Sequence, residues 1–461
     1  MPSTDESTRR RFLALTGTGV ASLAGCATRT DSDTSASRTP TDRPTPTPST
    51  DGTASPADAI TREAIPVDPT ADVDGLDAVA SRLATSAIVG VGETSHGAAA
   101  FKTLPRLLVR RLVADHGYRL LAVEGTLGDF APIDAYVAGE DVDVDAALSS
   151  LEFYFWRTAE IRRLFEWLRE FNDGRPASDR VTVRGYDAQF HDVSATAIRS
   201  YLQRVDPAYL AEIDADLDPL TEPRHEESDP AYLTPSQRSL VESLRNRLRA
   251  KRAAYVERSS ESEWRLARRH VWTLERALRF QKHLQAEAYT RGKRVRDAAM
   301  ADTVAWLRDW TDSDRAVVLG NANHTMRNDG DAGATRMGQH LTDRFGADYY
   351  SLGLLFGTGT FAAPTNHGRT AFETYALDGP VEGTLEATLA DAAHPQFFLD
   401  FDAARENATL RTWLDGVERV QFSVPRAAER GAVPLSASPD AVYDGVVFVR
   451  RVSPAAFGDG D

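Results

Sequence analysis

The sequence is poor in cysteine and lysine, with one Cys and four Lys in 461 residues. A single cysteine excludes a disulfide within the chain and a zinc site built from several cysteines. That residue, Cys26, lies in an N-terminal segment with the features of a lipoprotein leader, so we also exclude a cysteine nucleophile. Any catalytic site must therefore be built from other side chains.

The chain also lacks the motifs of several enzyme classes. It has no G-x-S-x-G or H-E-x-x-H sequence and no phosphate-binding loop, since no glycine lies five positions before Gly292 and Lys293. A formal charge of −15 disfavours a broad phosphate-binding surface, so we predict no nucleic-acid partner. An acidic, lysine-poor surface is typical of proteins kept soluble in high salt, although GC-rich coding gives the same arginine bias.

The amino terminus carries a targeting signal. Arg9 and Arg10 precede a short, glycine-rich apolar run that ends in "LAGC" (23–26), which resembles a lipobox. We predict a twin-arginine lipoprotein-type signal peptide over residues 1–25, with Cys26 as the lipidated first residue of an exported protein. The lipid would anchor the protein to the outer face of the cell membrane. Residues 26–58 are rich in Ser, Thr and Pro and predict a disordered linker before a folded domain at 59–461.

Short apolar runs alternate with amphipathic helical patterns in the folded domain. The runs at 87–92, 119–125 and 180–187 predict strands, with helices at 101–116 and 158–172 between them. A long charged helical region follows at about 236–311, and strand signals return at 316–324, 349–357, 396–401 and 445–451. This order predicts an α/β fold with a mostly parallel central sheet flanked by helices, and an inserted helical subdomain.

Polar side chains follow four of the predicted strands. Ligands of open parallel sheets bind beyond the carboxyl ends of the strands, so these side chains are candidate site residues. They are Glu93, His96, Glu124, Asp187, Gln189, Asn321, Asn323 and His324.

His96 lies in "GETSHG" (92–97), directly after the first of these strands. Glycines at 90, 92 and 97 predict a sharply turned backbone that leaves space beside His96. A neutral imidazole is well suited to take a proton from water near neutral pH, and Glu93 or Glu124 would orient it or hold the water.

Six segments together resemble the erythromycin esterase family. They are, in chain order, "GETSHG", "LLAVEG", "FYFWRTAEIRRLFEWLREFN", "VRGYDAQ", "RVRDAAMADTVAWL" and "GNANHTMR". The similarity extends from about Ile88 to Phe361. It implies hydrolysis of a small-molecule ester or lactone by an activated water, without a serine nucleophile or a cofactor, in an α/β fold with a helical subdomain.

The resemblance also implies roles for the candidate residues. His96 would be the general base, Glu124 would position the water or the base, and Glu93 would support the turn. His324 would stabilise or protonate oxygen as charge develops. The candidate substrate-binding residues are Asn321, Asn323, Asp187, Gln189, Trp156 and Arg157.

Two alternatives stay open. Asn321 stands where the family usually has the first of two histidines, and an amide cannot exchange a proton near pH 7, which favours a non-catalytic ligand-binding envelope protein. The three-residue spacing of Glu93 and His96 also occurs in metal sites, so a metal-dependent enzyme that uses both with His324 is the second alternative. Our main prediction has no metal, no cofactor and no protein partner.

Overall fold

The computed structural model describes residues 55–68, 75–222, 231–328, 330, 333–365, 372–421 and 434–457. The predicted signal peptide, Cys26 and most of the predicted linker lie outside these residues. Within the described ranges, no helix combines the length and the apolar character needed to cross a membrane.

The described residues contain a nine-stranded sheet and a separate two-stranded sheet. The strands are β1 (Ile65–Pro66), β2 (Ile88–Glu93), β3 (Leu120–Thr126), β4 (Thr182–Asp187), β5 (Ala316–Asn321), β6 (Tyr349–Pro364), β7 (Phe372–Leu377), β8 (Gln396–Asp400), β9 (Arg419–Gln421), β10 (Pro434–Ser436) and β11 (Gly445–Val452). The large sheet has the order β1-β8-β11-β6-β2-β5-β3-β4, with β7 paired to β6, and the small sheet pairs β9 with β10.

Six neighbouring strands of the large sheet, from β11 to β4, run parallel to one another. The antiparallel members are β8 and β1 at one edge, and β7 against the distal part of β6. The predicted mostly parallel sheet is therefore confirmed. Strands β2, β5 and β3 lie side by side, and the register sets Glu93 opposite Asn321.

The α-helices of the described residues either cover the two faces of this sheet or form the inserted subdomain. They are α1 (Pro56–Glu63), α2 (Asp77–Leu83), α3 (Ala100–His116), α4 (Ala131–Val137), α5 (Val144–Ser149), α6 (Ala159–Asn172), α7 (Asp192–Val205), α8 (Pro207–Leu217), α9 (Pro235–Ala250), α10 (Arg252–Arg258), α11 (Glu261–Gln285), α12 (Tyr289–Thr311), α13 (Ala322–Thr325), α14 (Met337–Phe345), α15 (Leu385–Ala390), α16 (Phe401–Ala404), α17 (Ala408–Gly416) and α18 (Pro439–Val442).

The central strands read as continuous apolar runs because both of their faces are covered. Every residue of β2, β3 and β5 is buried. Leu104 of α3 and Leu164 of α6 belong to the apolar core on one face. Met300 and Val304 of α12 belong to a second core, which includes Ile88 and covers the other face. The site residues at the strand ends are thus held by a rigid, two-sided core.

The helical insertion begins earlier than the predicted start at about 236. Helix α7 begins at Asp192, and its Ile198 and Leu202 share one apolar core with Leu244 of α9 and Val271 of α11. Helix α12, predicted to end the insertion, packs against the sheet instead. The long charged run predicted only part of the subdomain. Its helices share one apolar core, and contacts between helices that are distant in the chain cannot be read from any single segment of the sequence.

Candidate active site

The structure brings Glu93, His96, Glu124, Asn321 and His324 together at the carboxyl ends of β2, β3 and β5. Glu93 ends β2 and Asn321 ends β5, while Glu124 lies near the end of β3. His96 follows in the loop after β2, and His324 lies in the short helix α13 after β5. Parallel strands deliver all five side chains to one edge of the sheet.

Glu93 holds His96 on one side and a buried lysine on the other. Its Oε1 lies 2.6 Å from Nδ1 of His96. Lys102, from the first turn of α3, donates to both Glu93 oxygens at 2.8 Å. The Lys102 side chain has no exposed surface, and the Glu93 side chain is 4% exposed.

This arrangement keeps Glu93 ionised although it is buried. Burial by itself raises the pKa of a carboxyl group, but the Lys102 ammonium and His96 outweigh that effect and lower the pKa of Glu93 below its usual value. The Lys102 ammonium also lies 4.9 Å from the ring centroid of Trp156, a cation–π contact that compensates part of its lost hydration. Glu93 is therefore a fixed negative charge behind the imidazole.

The His96 ring is clamped and yet reachable. It stacks on Phe155 with ring centroids 3.7 Å apart and an interplanar angle of 6°. Its side chain is 18% exposed, whereas that of Glu93 is almost fully buried. On the side away from Glu93, Nε2 lies 3.5 Å from Nδ2 of Asn321, at the outer limit of a hydrogen bond.

The surrounding hydrogen bonds assign the tautomer of His96. Asn321 Oδ1 accepts from the backbone N–H of Asn323 at 3.0 Å, so the Asn321 amide NH₂ faces His96. A carboxylate at Nδ1 favours a proton on that nitrogen, which leaves the Nε2 lone pair to accept. His96 thus presents an accepting nitrogen on the side away from Glu93.

Glu124 connects the His96 side of the site to the His324 side. Its Oε2 accepts from the backbone N–H of Asn321 at 2.7 Å. Its Oε1 lies 3.5 Å from Nε2 of His324 and 3.3 Å from a guanidinium nitrogen of Arg296. Glu124 therefore fixes the backbone of Asn321 and faces His324.

His324 has a carboxylate at each ring nitrogen. Asp297, fully buried on α12, contacts Nδ1 at 2.8 Å, and Glu124 faces Nε2. Burial raises the pKa of Asp297, but His324 and two neighbouring arginines lower it further than burial raises it, so the net pKa lies below its usual value. The two carboxylates thus hold the His324 ring in one orientation, with an acceptor facing each ring nitrogen.

Asp187 lies below the site and not on its surface. It is fully buried and binds Arg296 with two hydrogen bonds, Nε to Oδ1 at 2.9 Å and Nη2 to Oδ2 at 2.5 Å. Burial lowers the pKa of Arg296, but Asp187 and Glu124 raise it well above the usual value. Asp187 therefore acts through Arg296, which in turn supports Glu124.

The other predicted substrate-binding residues lie in different settings. Trp156 is buried, and its indole N–H donates to the Glu124 carbonyl at 2.7 Å. Arg157 is half-buried and donates to the carbonyl of Leu151. Gln189 and Asn323 are half-buried near the strand ends. Trp156 and Arg157 thus hold the loop that carries Phe155.

The three glycines near His96 allow close packing and not a left-handed turn. None of Gly90, Gly92 and Gly97 has a positive φ. A Cβ on Gly97 would lie 1.7 Å from the carbonyl oxygen of Ala362, so the His96 loop sits directly against β6. The prediction that these glycines leave free space is wrong, because neighbouring strands and side chains fill it.

Within the residues that the structure describes, no group of three His, Cys, Asp or Glu side chains is placed to hold a metal ion. Both oxygens of Glu93 already face the Lys102 ammonium. Metal analysis of the purified protein, with activity measured before and after chelation, tests the metal-dependent alternative.

Comparison with known proteins gives the family. The family model for erythromycin esterase matches residues 113–452, well over half of the chain. This chain belongs to the erythromycin esterase family. The erythromycin esterase type II of Escherichia coli is 22% identical over 397 residues, which cover 79% of this chain and 90% of that protein. Membership of the family supports a hydrolase.

Solved structures share the fold. A protein from Bacillus cereus superposes with a TM-score of 0.74 at 20% identity, covering 87% of this chain and 98% of that one. A mutant of the erythromycin esterase EreC, in its open conformation, gives a TM-score of 0.64 at 16% identity over 84% of this chain and 95% of the other. The predicted α/β architecture with flanking helices is that of the family.

Sequence reasoning missed four residues of this erythromycin esterase-like site. Lys102, Phe155, Arg296 and Asp297 all contact a predicted residue directly. Three of them lie inside the family-like segments "FYFWRTAEIRRLFEWLREFN" and "RVRDAAMADTVAWL". Lys102 had a separate signal, because it is one of only four lysines and lies nine residues after Glu93.

Proposed function

We propose that this protein hydrolyses a carboxylic ester or lactone, with His96 as the general base that takes a proton from the attacking water. One observation carries the proposal: His96 is held at Nδ1 by a buried carboxylate, and its side chain is still 18% exposed. Its Nε2 lone pair makes only a long contact with the Asn321 amide, at 3.5 Å, so a water can compete for it. A base with a fixed orientation and an accepting lone pair is what water activation requires.

The proposed reaction begins with water beside Nε2 of His96. As the water oxygen bonds to the carbonyl carbon, Nε2 accepts a water proton, and the carbonyl oxygen takes up negative charge. The tetrahedral intermediate then collapses, the bond to the leaving oxygen breaks, and that oxygen receives a proton from His324. The proton held by His96 then passes to solvent water, and solvent returns one to His324, so both rings regain their starting state. The products are a carboxylic acid and an alcohol, joined in one molecule when the substrate is a lactone.

Two side chains can stabilise the charge that develops on the substrate oxygens. The Asn321 amide N–H groups face the His96 side of the site, where they can donate to the oxyanion. His324, oriented by Asp297 and Glu124, can donate a proton to the leaving oxygen when its ring is protonated. Glu93 orients the base, and Glu124 positions Asn321 and His324.

An aromatic cluster next to His96 favours a substrate with an apolar part. Phe155 stacks on His96 and contacts Phe153 and Tyr154, and Tyr154 contacts Phe372 and Phe457. Phe372 and Phe457 are half-buried and extend the cluster toward the surface. We propose that the apolar acyl or alcohol part of the ester packs against this cluster.

The test is hydrolysis of a panel of aryl esters and lactones in high salt, with the full chain carrying Cys26→Ser. We expect activity on at least one ester with an apolar group. Asn321→Ala should lower kcat by about 10², because it removes an oxyanion donor. Asn321→His should retain or raise activity, since a histidine also donates there.

The exposed Asn328 provides a matched control, because Asn328→Ala should leave kcat unchanged. Wild-type kcat in Asn321→Ala would remove Asn321 from the mechanism. The second candidate function, a ligand-binding envelope protein on the same fold, is favoured by the asparagine at position 321. It becomes the conclusion if the folded wild-type protein and Asn321→His both fail to hydrolyse every ester and lactone of the panel.

We also propose that the protein is exported and anchored by a lipid on Cys26, which rests on the "LAGC" sequence and the paired arginines. Arg9→Lys with Arg10→Lys should leave unprocessed precursor in the cytoplasm, and Cys26→Ser should release the chain from the membrane. Normal processing of the first variant, or membrane retention of the second, would contradict the proposal.

A further inference from the structure

A cavity lies among three helices of the helical region. It has a volume of about 350 Å³ and is lined by Arg245, Leu248 and Arg249 of α9, Arg265, Arg268, Arg269, Val271 and Trp272 of α11, and Trp306 of α12. We call it the arginine pocket. None of these residues belongs to the candidate active site, and five of the nine are arginines.

The charge of the pocket contrasts with that of the protein. The whole chain carries a formal charge of −15, yet none of the residues that line this cavity is acidic. Two of the five guanidinium groups are neutralised from outside the pocket, Arg245 by Glu275 and Arg265 by Asp309. The described residues provide no salt-bridge partner for the other three, Arg249, Arg268 and Arg269.

Arg269 is the most unusual of the three, because its residue is only 9% exposed. Its Nη2 donates to Thr303 at 2.7 Å, but its buried Nε has no hydrogen-bond partner in the described structure. A buried guanidinium without a counter-charge is costly. Burial lowers the pKa of Arg269 to about 9, and the nearby Asp302 offsets this only in part. An anion in the pocket would supply the missing partner.

Aromatic rings form the rest of the wall. The Arg269 guanidinium lies 3.7 Å from the ring centroid of Trp272 and 5.4 Å from that of Trp306. Both tryptophans are half-buried, and Leu248 and Val271 add aliphatic surface. Guanidinium groups bind carboxylate and phosphate oxygens through paired N–H donors, and indole rings stack on flat apolar groups. The cavity volume lies within the range of small-molecule sites.

We propose that the arginine pocket binds a small organic oxyanion, a carboxylate or phosphate monoester joined to an apolar, flat group. The oxyanion contacts Arg268, Arg269 and Arg249, and the apolar group packs against Trp272 and Trp306. This site is separate from the hydrolytic one. Along α12, Trp306 lies nine residues from Asp297 of the active site, roughly 14 Å of helix.

The test is isothermal titration of the full chain carrying Cys26→Ser with phenyl phosphate, at one fixed salt concentration. We expect one saturable site per chain, weaker binding of inorganic phosphate, and no binding of phenol. Arg249→Gln with Arg268→Gln should raise Kd at least ten-fold, because both side chains are exposed and their loss should not disturb the core. Arg291→Gln, which removes an exposed arginine outside the pocket, should leave Kd unchanged.

Three further measurements make the result decisive. Arg269→Gln should also raise Kd in a protein whose circular dichroism is that of the wild type. Ester hydrolysis should be unchanged in the Arg249→Gln, Arg268→Gln variant, and His96→Ala should not change Kd. Absence of phenyl phosphate binding, an equal loss of binding in Arg291→Gln, or binding only to phosphatidylglycerol vesicles would overturn the proposal.

Discussion

Replacing His96 by Asn should lower kcat/KM for a responsive ester by about 10³, the middle of the range that general-base catalysis contributes. The asparagine amide can still donate to Glu93 near the place of Nδ1, so the loop is kept. The variant loses the Nε2 lone pair that takes the proton from water. Steady-state kinetics on the same ester, with folding checked by circular dichroism, measure the effect.

The control for this prediction is His116→Ala. His116 is the last residue of α3, far along that helix from Lys102, and is half-buried. Its replacement should leave kcat/KM within a factor of two. A His96→Asn protein that folds normally and hydrolyses the ester at the wild-type rate would exclude His96 as the base.

Replacing Lys102 by Met should lower the free energy of unfolding by about 3 to 5 kcal/mol. The methionine fills a similar volume but removes the ammonium that contacts both oxygens of Glu93. Glu93, only 3% exposed, then carries a buried charge whose remaining side-chain partner is His96. Urea unfolding followed by circular dichroism measures the loss. Ester hydrolysis should fall as well, since Glu93 without Lys102 is less firmly fixed and orients His96 less well.

A double-mutant cycle tests whether the unpaired charge of Glu93 causes the loss of stability in Lys102→Met. Glu93→Gln removes the charge that Lys102→Met leaves unpaired, so the double variant should be more stable than Lys102→Met alone. It should remain poor in hydrolysis, because the negative charge behind His96 is gone. Equal stability of Lys102→Met and the wild type would show that the lysine and the carboxylate are not coupled as the structure indicates.

The central strands of the sheet could be predicted because each of them is a continuous apolar run in the sequence. The apolar runs that became β2, β3 and β5 are buried on both faces, and this double burial is what a continuous apolar sequence reflects. Strand β7 has no such signal, because it pairs only with the distal part of β6 and consists of exposed and half-buried residues, including the exposed Glu373. An exposed edge strand needs no apolar run, so its sequence is not distinctive.

The convergence of Glu93, His96, Glu124, Asn321 and His324 could be predicted from strand ends alone, because parallel strands share one functional edge. The partners Lys102, Arg296 and Asp297 could not. They reach the site from α3 and α12, and which face of a helix meets the strand ends depends on packing. For the same reason the strand-end position predicts Asp187 as a substrate contact, although Asp187 is fully buried and bound to Arg296.

In the proposed reaction, water activated by His96 attacks the substrate carbonyl directly, without a covalent enzyme intermediate. The most direct test is a single turnover in H₂¹⁸O with enzyme in excess over ester, followed by mass spectrometry of the acid product and of the peptides that carry Glu93 and Glu124. We expect ¹⁸O in the acid product and neither label nor an acyl adduct on the protein. Label in Glu93 or Glu124, or an acyl group on any side chain, would contradict it.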